Sequence, residues 1–294
     1  MSTLAHLDPV FAKAVRTRSL GQVAWRLVVY GILLIGGFTF MLPALWMFTT
    51  AFKTLAEAQS FPPIWIPSQI QWSNFVSPFQ DLPFGQFYWN TIIITVASIV
   101  GILLSCTPVA FVFARLNFRG RDALFIVVLA TMMMPDQTTL IPIYVFFSWL
   151  GWINTFLPLV VPRFFATDAF VIFLMRQFFM TIPRDLDDAC KIDGGGILTL
   201  LTRIIIPLCM PLFGVVVILQ FVGFWNAFFW PLIFLQTLDT YTISLGLRLF
   251  QFRYFVQMNT LMSMSLLASL PTIALFFVAQ RYFIQGIVLT GVNK

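Results

Sequence analysis

Long uninterrupted apolar runs alternate with short polar links along this chain. A helix that crosses a bilayer needs roughly 20 mostly apolar residues. Six runs reach that length: Val28 to Phe48, Thr91 to Phe113, Leu124 to Phe147, Val160 to Phe179, Pro211 to Leu235 and Leu261 to Phe283. Membrane β-strands would instead alternate polar and apolar positions over about ten residues. The pattern therefore predicts an all-α integral membrane protein with six transmembrane helices, residues 28–294, preceded by a polar tail over 1–27. The fourth run is the most polar, with Arg163, Asp168 and Arg176 in or beside it.

One link departs from the rest. DLDDACKIDGGGILTLLTRIIIPLCMP, from Asp185 to Pro211, has four aspartates, one lysine and three consecutive glycines before apolar residues resume. Thr181 as a side-chain cap and Pro183 near the first helical position predict a helix start just ahead of it. Asp185, Asp187 and Asp188 then fall in the first turns, where negative charge meets the positive end of the helix dipole. Ala189 and Cys190 are small, Asp193 follows, and Gly194 to Gly196 stop the helix and allow a sharp turn. Region 181–211 thus predicts a short amphipathic helix, a bend and a second helix entering the membrane. A plain solvated loop would not need start, stop and small-residue signals in that order.

Charge gives the orientation, because Lys and Arg accumulate on the cytoplasmic side. Lys13, Arg16, Arg18 and Arg26 precede the first run, Arg115, Arg119 and Arg121 join the second to the third, and Arg176, Arg184, Lys191 and Arg203 surround the aspartate-rich link. The other side has Lys53, Arg163, Arg248 and Arg253. Both termini are expected in the cytoplasm. The net charge of +6 is then a topology signal, and a nucleic-acid partner would need a basic soluble face that the chain lacks.

Composition agrees: with 10% charged and 60% hydrophobic residues in 294, there is too little polar surface to cover a soluble globule. The N-terminal tail is too long for a cleavable signal peptide, and the first run is long enough to remain as a span. Cys106, Cys190 and Cys209 fit neither a disulfide framework nor a zinc site. The segment between the first two runs has Trp65, Trp72, Tyr88 and Trp89, which suit either an interfacial aromatic belt or a docking surface.

Catalytic parts are missing. His6 is the only histidine, so no histidine-based triad or HExxH zinc site can form. GGGILTLL lacks the glycine-lysine-Ser/Thr of a phosphate-binding loop, so any ATP used binds another chain and no cofactor is expected here. Asp136 in MMMPDQTTLIPIY lies about twelve residues into the third run, roughly 18 Å deep. It would either line a hydrated path or satisfy backbone groups freed by Pro135. Gln220, Trp225 and Asn226 in the fifth run would either face a sugar path, through amide hydrogen bonds and ring stacking, or join helices together.

At the aspartate-rich link the sequence resembles the inner-membrane permease subunits of bacterial ABC importers. Their cytoplasmic signature, Glu-Ala-Ala, then Gly, then Ile-x-Leu-Pro, stands here as Asp188-Ala189-Cys190, Gly194 and Ile204-Ile205-Ile206-Pro207. MMMPDQTTLIPIYVFFSWLGWINT, FVGFWNAFFWPLIF, DTYTISLGL, LMSMSLLASLPTIALFFVAQRYFIQGI and the closing GVNK are similar to the carbohydrate-importing branch, closest to the MalG-type subunit. The resemblance implies that 181–211 contains the coupling helix between spans four and five, with Asp187, Asp188, Ala189, Cys190, Asp193 and Gly194 meeting a cytoplasmic ATPase dimer. ATP and Mg2+ would sit on that dimer. It further implies a second homologous permease subunit and an extracytoplasmic solute-binding protein meeting the outward segment Gln236 to Thr260. Residues Gln285 to Lys294 would reach the ATPase. A stand-alone secondary transporter using Asp136 as an ion or proton relay is the rival reading.

Overall fold

The computed structural model describes the backbone of residues 20–252 and 257–291, with side chains at 20–24, 136, 251–252 and 279–291 outside the described set. All regular structure among the described residues is helical. The first half contains α1 (Leu20–Ala51), α2 (Leu55–Ala58), α3 (Ser73–Asp81), α4 (Phe84–Arg115), α5 (Arg121–Thr131), α6 (Asp136–Trp149), α7 (Leu157–Val160) with a 3-10 turn to Phe165, and α8 (Ala169–Thr181). The second half contains α9 (Asp185–Ile192), α10 (Ile197–Thr199), a π turn over Leu200–Ile205, α11 (Ile206–Leu208), α12 (Met210–Trp225), α13 (Phe229–Phe234), α14 (Ile243–Phe252) and α15 (Met258–Gly291).

Four stretches among these are long and apolar enough to cross a membrane: Trp25–Ala51, Phe84–Arg115, Leu157–Thr181 and Met258–Val278. They coincide with the first, second, fourth and sixth expected runs. A fifth is bent by 76° between Ile197–Leu208 and Met210–Trp225. Pro207 and Pro211 flank that bend; each lacks an N–H, and a proline ring clashes with the preceding turn of a straight helix. The expected run to Leu235 stops at Trp225, and α13 resumes only at Phe229.

The third expected run, Leu124 to Phe147, is not one helix. It divides into α5 and α6 around Met132 to Pro135, where Pro135 has extended ψ of 133°. A proline disfavours helical geometry in the residue before it, so α5 ends at Thr131, short of Met134, and α6 starts at Asp136 after the proline. Asp136 is therefore the first residue of α6 rather than mid-helix, and its side chain lies outside the described residues.

The central element is α4. Its C-terminal half packs with α5, α8 and residues of 190–216 in a core that includes Ile102, Phe111, Met175, Phe179, Ile205 and Val216. Its N-terminal end meets α14 and α15 through Phe84, Phe87, Ile243 and Met264. By contrast α1 packs along α15 and leaves Leu34 and Phe40 outward. A helix apolar on all sides belongs against lipid or other apolar helices.

Asparagines clamp the loops at the N-terminal end of α4. Asn74 donates to the Ala51 and Lys53 carbonyls and accepts from Asn259. Asn90 donates to the carbonyls of Asp239 and Tyr241, and Asn154 accepts from the backbone of Gln236 and Thr237. Lys53, fully buried, lies 3.8 Å over the Trp46 ring. Glu57 accepts from the Ser68 hydroxyl and amide and from the Thr54 amide, and these bonds hold its carboxyl down at about 2.

Candidate functional site

The aspartate-rich link forms a separate helical element between two membrane-entering segments. Its start is two to four residues later than the proline and threonine suggest. Thr181 ends α8, with its hydroxyl donating to the Phe178 carbonyl, and α9 begins at Asp185 with Arg184 as N-cap. Asp185, Asp187 and Asp188 occupy its first turn and Lys191 its last, so both ends complement the dipole.

The far end is closed by two hydrogen bonds. The Gly194 amide donates to the Lys191 carbonyl at 3.0 Å, and the Gly195 amide to the Cys190 carbonyl at 2.8 Å. With Gly194 at φ +77°, this is a Schellman ending, in which a left-handed glycine reverses the chain and satisfies the last carbonyls. A Cβ on Gly194 would meet nothing within 4 Å; one on Gly195 would lie 2.5 Å from Cys190 Sγ and 2.9 Å from its carbonyl oxygen. Gly194 is thus required by backbone conformation and Gly195 by space.

The helix has two faces. Asp187 and Cys190 turn inward, Cys190 joining the core around α4 and α8. Asp185, Asp188, Ala189, Ile192 and Asp193 turn outward, with Ile192 86% exposed, and Ile197 and Leu198 extend the same apolar surface past the glycines. Asp188 pairs with Lys191 at 3.0 Å, both well exposed. Of the six residues assigned to ATPase contact, Asp188, Ala189, Asp193 and Gly194 are available to an outside partner, whereas Asp187 and Cys190 are not.

Asp187 instead meets Arg115, the last residue of α4. Arg115 Nη1 lies 3.2 Å from Asp187 Oδ1 and 3.3 Å from Oδ2, and Nη2 donates to the Ile182 carbonyl at 3.0 Å. Arg115 reads in the sequence only as one of several cytoplasmic positive charges. Nothing in the local pattern shows that it is buried or that its partner lies 72 positions later.

Of the expected path residues, the side chain of Asp136 lies outside the described residues, and Gln220, Trp225 and Asn226 each bond to a different partner. Gln220 Nε2 donates to Asp168 Oδ2 at 3.0 Å, while Asp168 Oδ1 accepts the Val171 amide and caps α8. Trp225 is buried, its indole donating to the Ala268 carbonyl of α15. Asn226 is exposed at the break after α12, donating back to the Val222 carbonyl. Asp168, read from sequence only as a polar blemish in an apolar run, is the group Gln220 addresses. Among the described residues no cluster of His, Cys, Asp or Glu has metal-binding spacing.

This short helix between two apolar segments presents charged residues together with Ala189 and Ile192 outward and an ion pair inward. Comparison with known proteins places it. Residues 106–288 match the family described as binding-protein-dependent transport system inner membrane component. The chain is 32% identical over 235 residues to the arabinooligosaccharides transport system permease protein AraQ of Halalkalibacterium halodurans, covering 78% of this chain and 82% of that protein. It is 28% identical over 265 residues to the lactose transport system permease protein LacG of Rhizobium radiobacter, covering 88% and 94%. Its fold matches a chain from the crystal structure of a bacterial ABC transporter importing the acidic polysaccharide alginate, with TM-score 0.77, 22% identity, and coverage of 90% and 98%. The chain belongs to the binding-protein-dependent transport system inner membrane component family, and is the inner-membrane permease subunit of an ABC importer.

Proposed function

We propose that this permease forms one half of the transmembrane path for a carbohydrate, with α9 as the coupling helix that docks on a separate ATPase dimer. The observation carrying the proposal is the exposure of Ala189 and Ile192 on α9, together with Ile197 and Leu198 on α10, on either side of an ending locked by Gly194 and Gly195. An amphipathic helix buries such a face in a groove. ATP and Mg2+ belong to the ATPase. Named relatives handle arabinooligosaccharides and lactose, and a further one, SmoH of Agrobacterium fabrum, is named for sulfoquinovosyl glycerol, which supports a sugar-like substrate.

In the proposed topology six segments cross the membrane, with α5 and α6 together forming the third and α12 and α13 completing the fifth. Both termini are cytoplasmic, a second homologous permease subunit covers the open side, and a solute-binding protein docks outside. The asparagine-clamped loops are suited to that docking because their backbone is already ordered. Asp136 at the start of α6, Gln220, Trp225 and Asn226 are proposed as contributors to the path, Trp225 by setting the spacing of α12 and α15.

Proteoliposome uptake tests the function. Uptake of labelled arabinotriose or lactose is expected to require ATP, the ATPase and the binding protein; uptake driven by an ion gradient without the ATPase would favour the relay at Asp136. Topology is tested separately, by labelling single cysteines with an impermeant reagent on intact cells. Position 68 is expected to label and position 119 to be protected, and the reverse would overturn the orientation.

A further inference from the structure

The contact between Arg115 and Asp187 joins three elements that the chain keeps apart. Arg115 ends the 32-residue α4, Asp187 lies in the first turn of α9, and Ile182 is the residue capping α8. One guanidinium grips the docking helix through its carboxylate and the end of α8 through a backbone carbonyl. The side chains are only 2% and 11% exposed.

Net stability is a poor reason for such a pair. Removing two charges from water offsets most of their attraction, and well-packed apolar residues in the same space are often as stable. What a planar, two-armed donor adds is direction, because it holds two acceptors in one fixed geometry. The opposite face of α9 has no such tie, since Asp188 and Lys191 pair with each other in solvent.

The covalent chain joins α9 to α8 on one side and to the α12 segment on the other, but not to α4. Yet α4 is the helix around which α8, α12 and α14 pack. We propose that Arg115 is a positioning residue of the transport cycle, whose buried bonds to Asp187 and Ile182 tie the coupling helix to α4. Movement of α9 by the ATPase is thereby passed to the central span as well as to its covalent neighbours. This rests on the coupling reading above, and gives Asp187 a transmitting role in place of a docking one.

The test uses the complete complex of both permease subunits, ATPase and binding protein. It compares ATPase co-purification with the hydrolysis stimulated by binding protein and whichever of arabinotriose or lactose stimulates the wild type. Arg115→Gln is expected to co-purify the ATPase as wild type does, while stimulated hydrolysis and uptake per ATP fall about tenfold. Arg115→Lys keeps the charge but not the second arm, and is expected to lose about threefold. Removing one partner alone can impair folding, so the paired variant Arg115→Met with Asp187→Leu keeps the site filled and neutral; it is expected to reach normal abundance and still transmit poorly. Wild-type stimulation in the paired variant would show that the contact only fills space, and loss of co-purification in Arg115→Gln would show that it shapes the docking face. Either result overturns the proposal. Absence of stimulation in the wild-type complex would overturn the coupling reading itself.

Discussion

Gly195→Val is expected to leave the membrane helices inserted at normal abundance while abolishing binding-protein-dependent uptake. The cause is local. The first side-chain carbon would fall 2.5 Å from Cys190 Sγ and 2.9 Å from the Cys190 carbonyl oxygen. Cys190 is fixed in the core, so the turn must open. Opening it releases the Gly195-to-Cys190 and Gly194-to-Lys191 hydrogen bonds that end α9. Each is worth about 1 kcal/mol net, and a helix of eight residues has few others to hold it. Gly194→Ala makes a useful comparison, since it meets no neighbour but must adopt φ near +77°, at a cost of about 1–2 kcal/mol. A graded loss of ATPase co-purification and uptake, mild for Gly194→Ala and severe for Gly195→Val, is the expected result. Wild-type uptake in Gly195→Val would mean that the shape of this turn is irrelevant to transport.

Ile192→Asp is expected to lose the ATPase without disturbing the fold. Ile192 is 86% exposed, so its replacement removes almost no internal packing. On a docking helix, an apolar anchor entering a groove typically contributes more than about 2 kcal/mol, and a buried carboxylate adds a desolvation cost. Co-purification should therefore fall by well over tenfold, whereas the also exposed Asp188 and Lys191, held in a solvent-screened pair, should matter less when neutralised together. Normal ATPase binding by Ile192→Asp would remove this face from the interface.

Much of this was legible in the sequence because the physical rules involved are local. Continuous apolar length marks α1, α4, the α7–α8 span and α15, and the run of aspartates, small residues and glycines marks α9 and its left-handed ending. The rest was hidden because a break, an element boundary or a distant contact decides it. Pro135 in an apolar run is compatible with either a kink or a break, and the structure has the break, which puts Asp136 at a helix start. Thr181 and Pro183 suit a helix start, but Thr181 is already committed to the last turn of α8. Gln220 and Trp225 suit either a polar path or bonds between helices by residue type, and the sequence does not name their partners, Asp168 and Ala268, 52 and 43 positions away. Arg115 reads in the sequence as an ordinary cytoplasmic charge and Asp187 as an ATPase contact, because burial is a property of the assembled core and not of their neighbours in sequence. Lys53 defeats composition in the same way, lying fully buried over Trp46 although lysine is seldom buried.

The central claim is that the outward face of α9, and not its inward face, seats on the ATPase. Single cysteines at Asp185, Asp188, Ala189 and Ile192, each tested for cross-linking to the ATPase in the assembled complex with a short bifunctional reagent, address it directly. Strong cross-links at Asp188, Ala189 and Ile192, with none from the native Cys190 between them, are the predicted result. Cross-links absent from all the outward positions in a complex that still hydrolyses ATP on binding-protein arrival would contradict it.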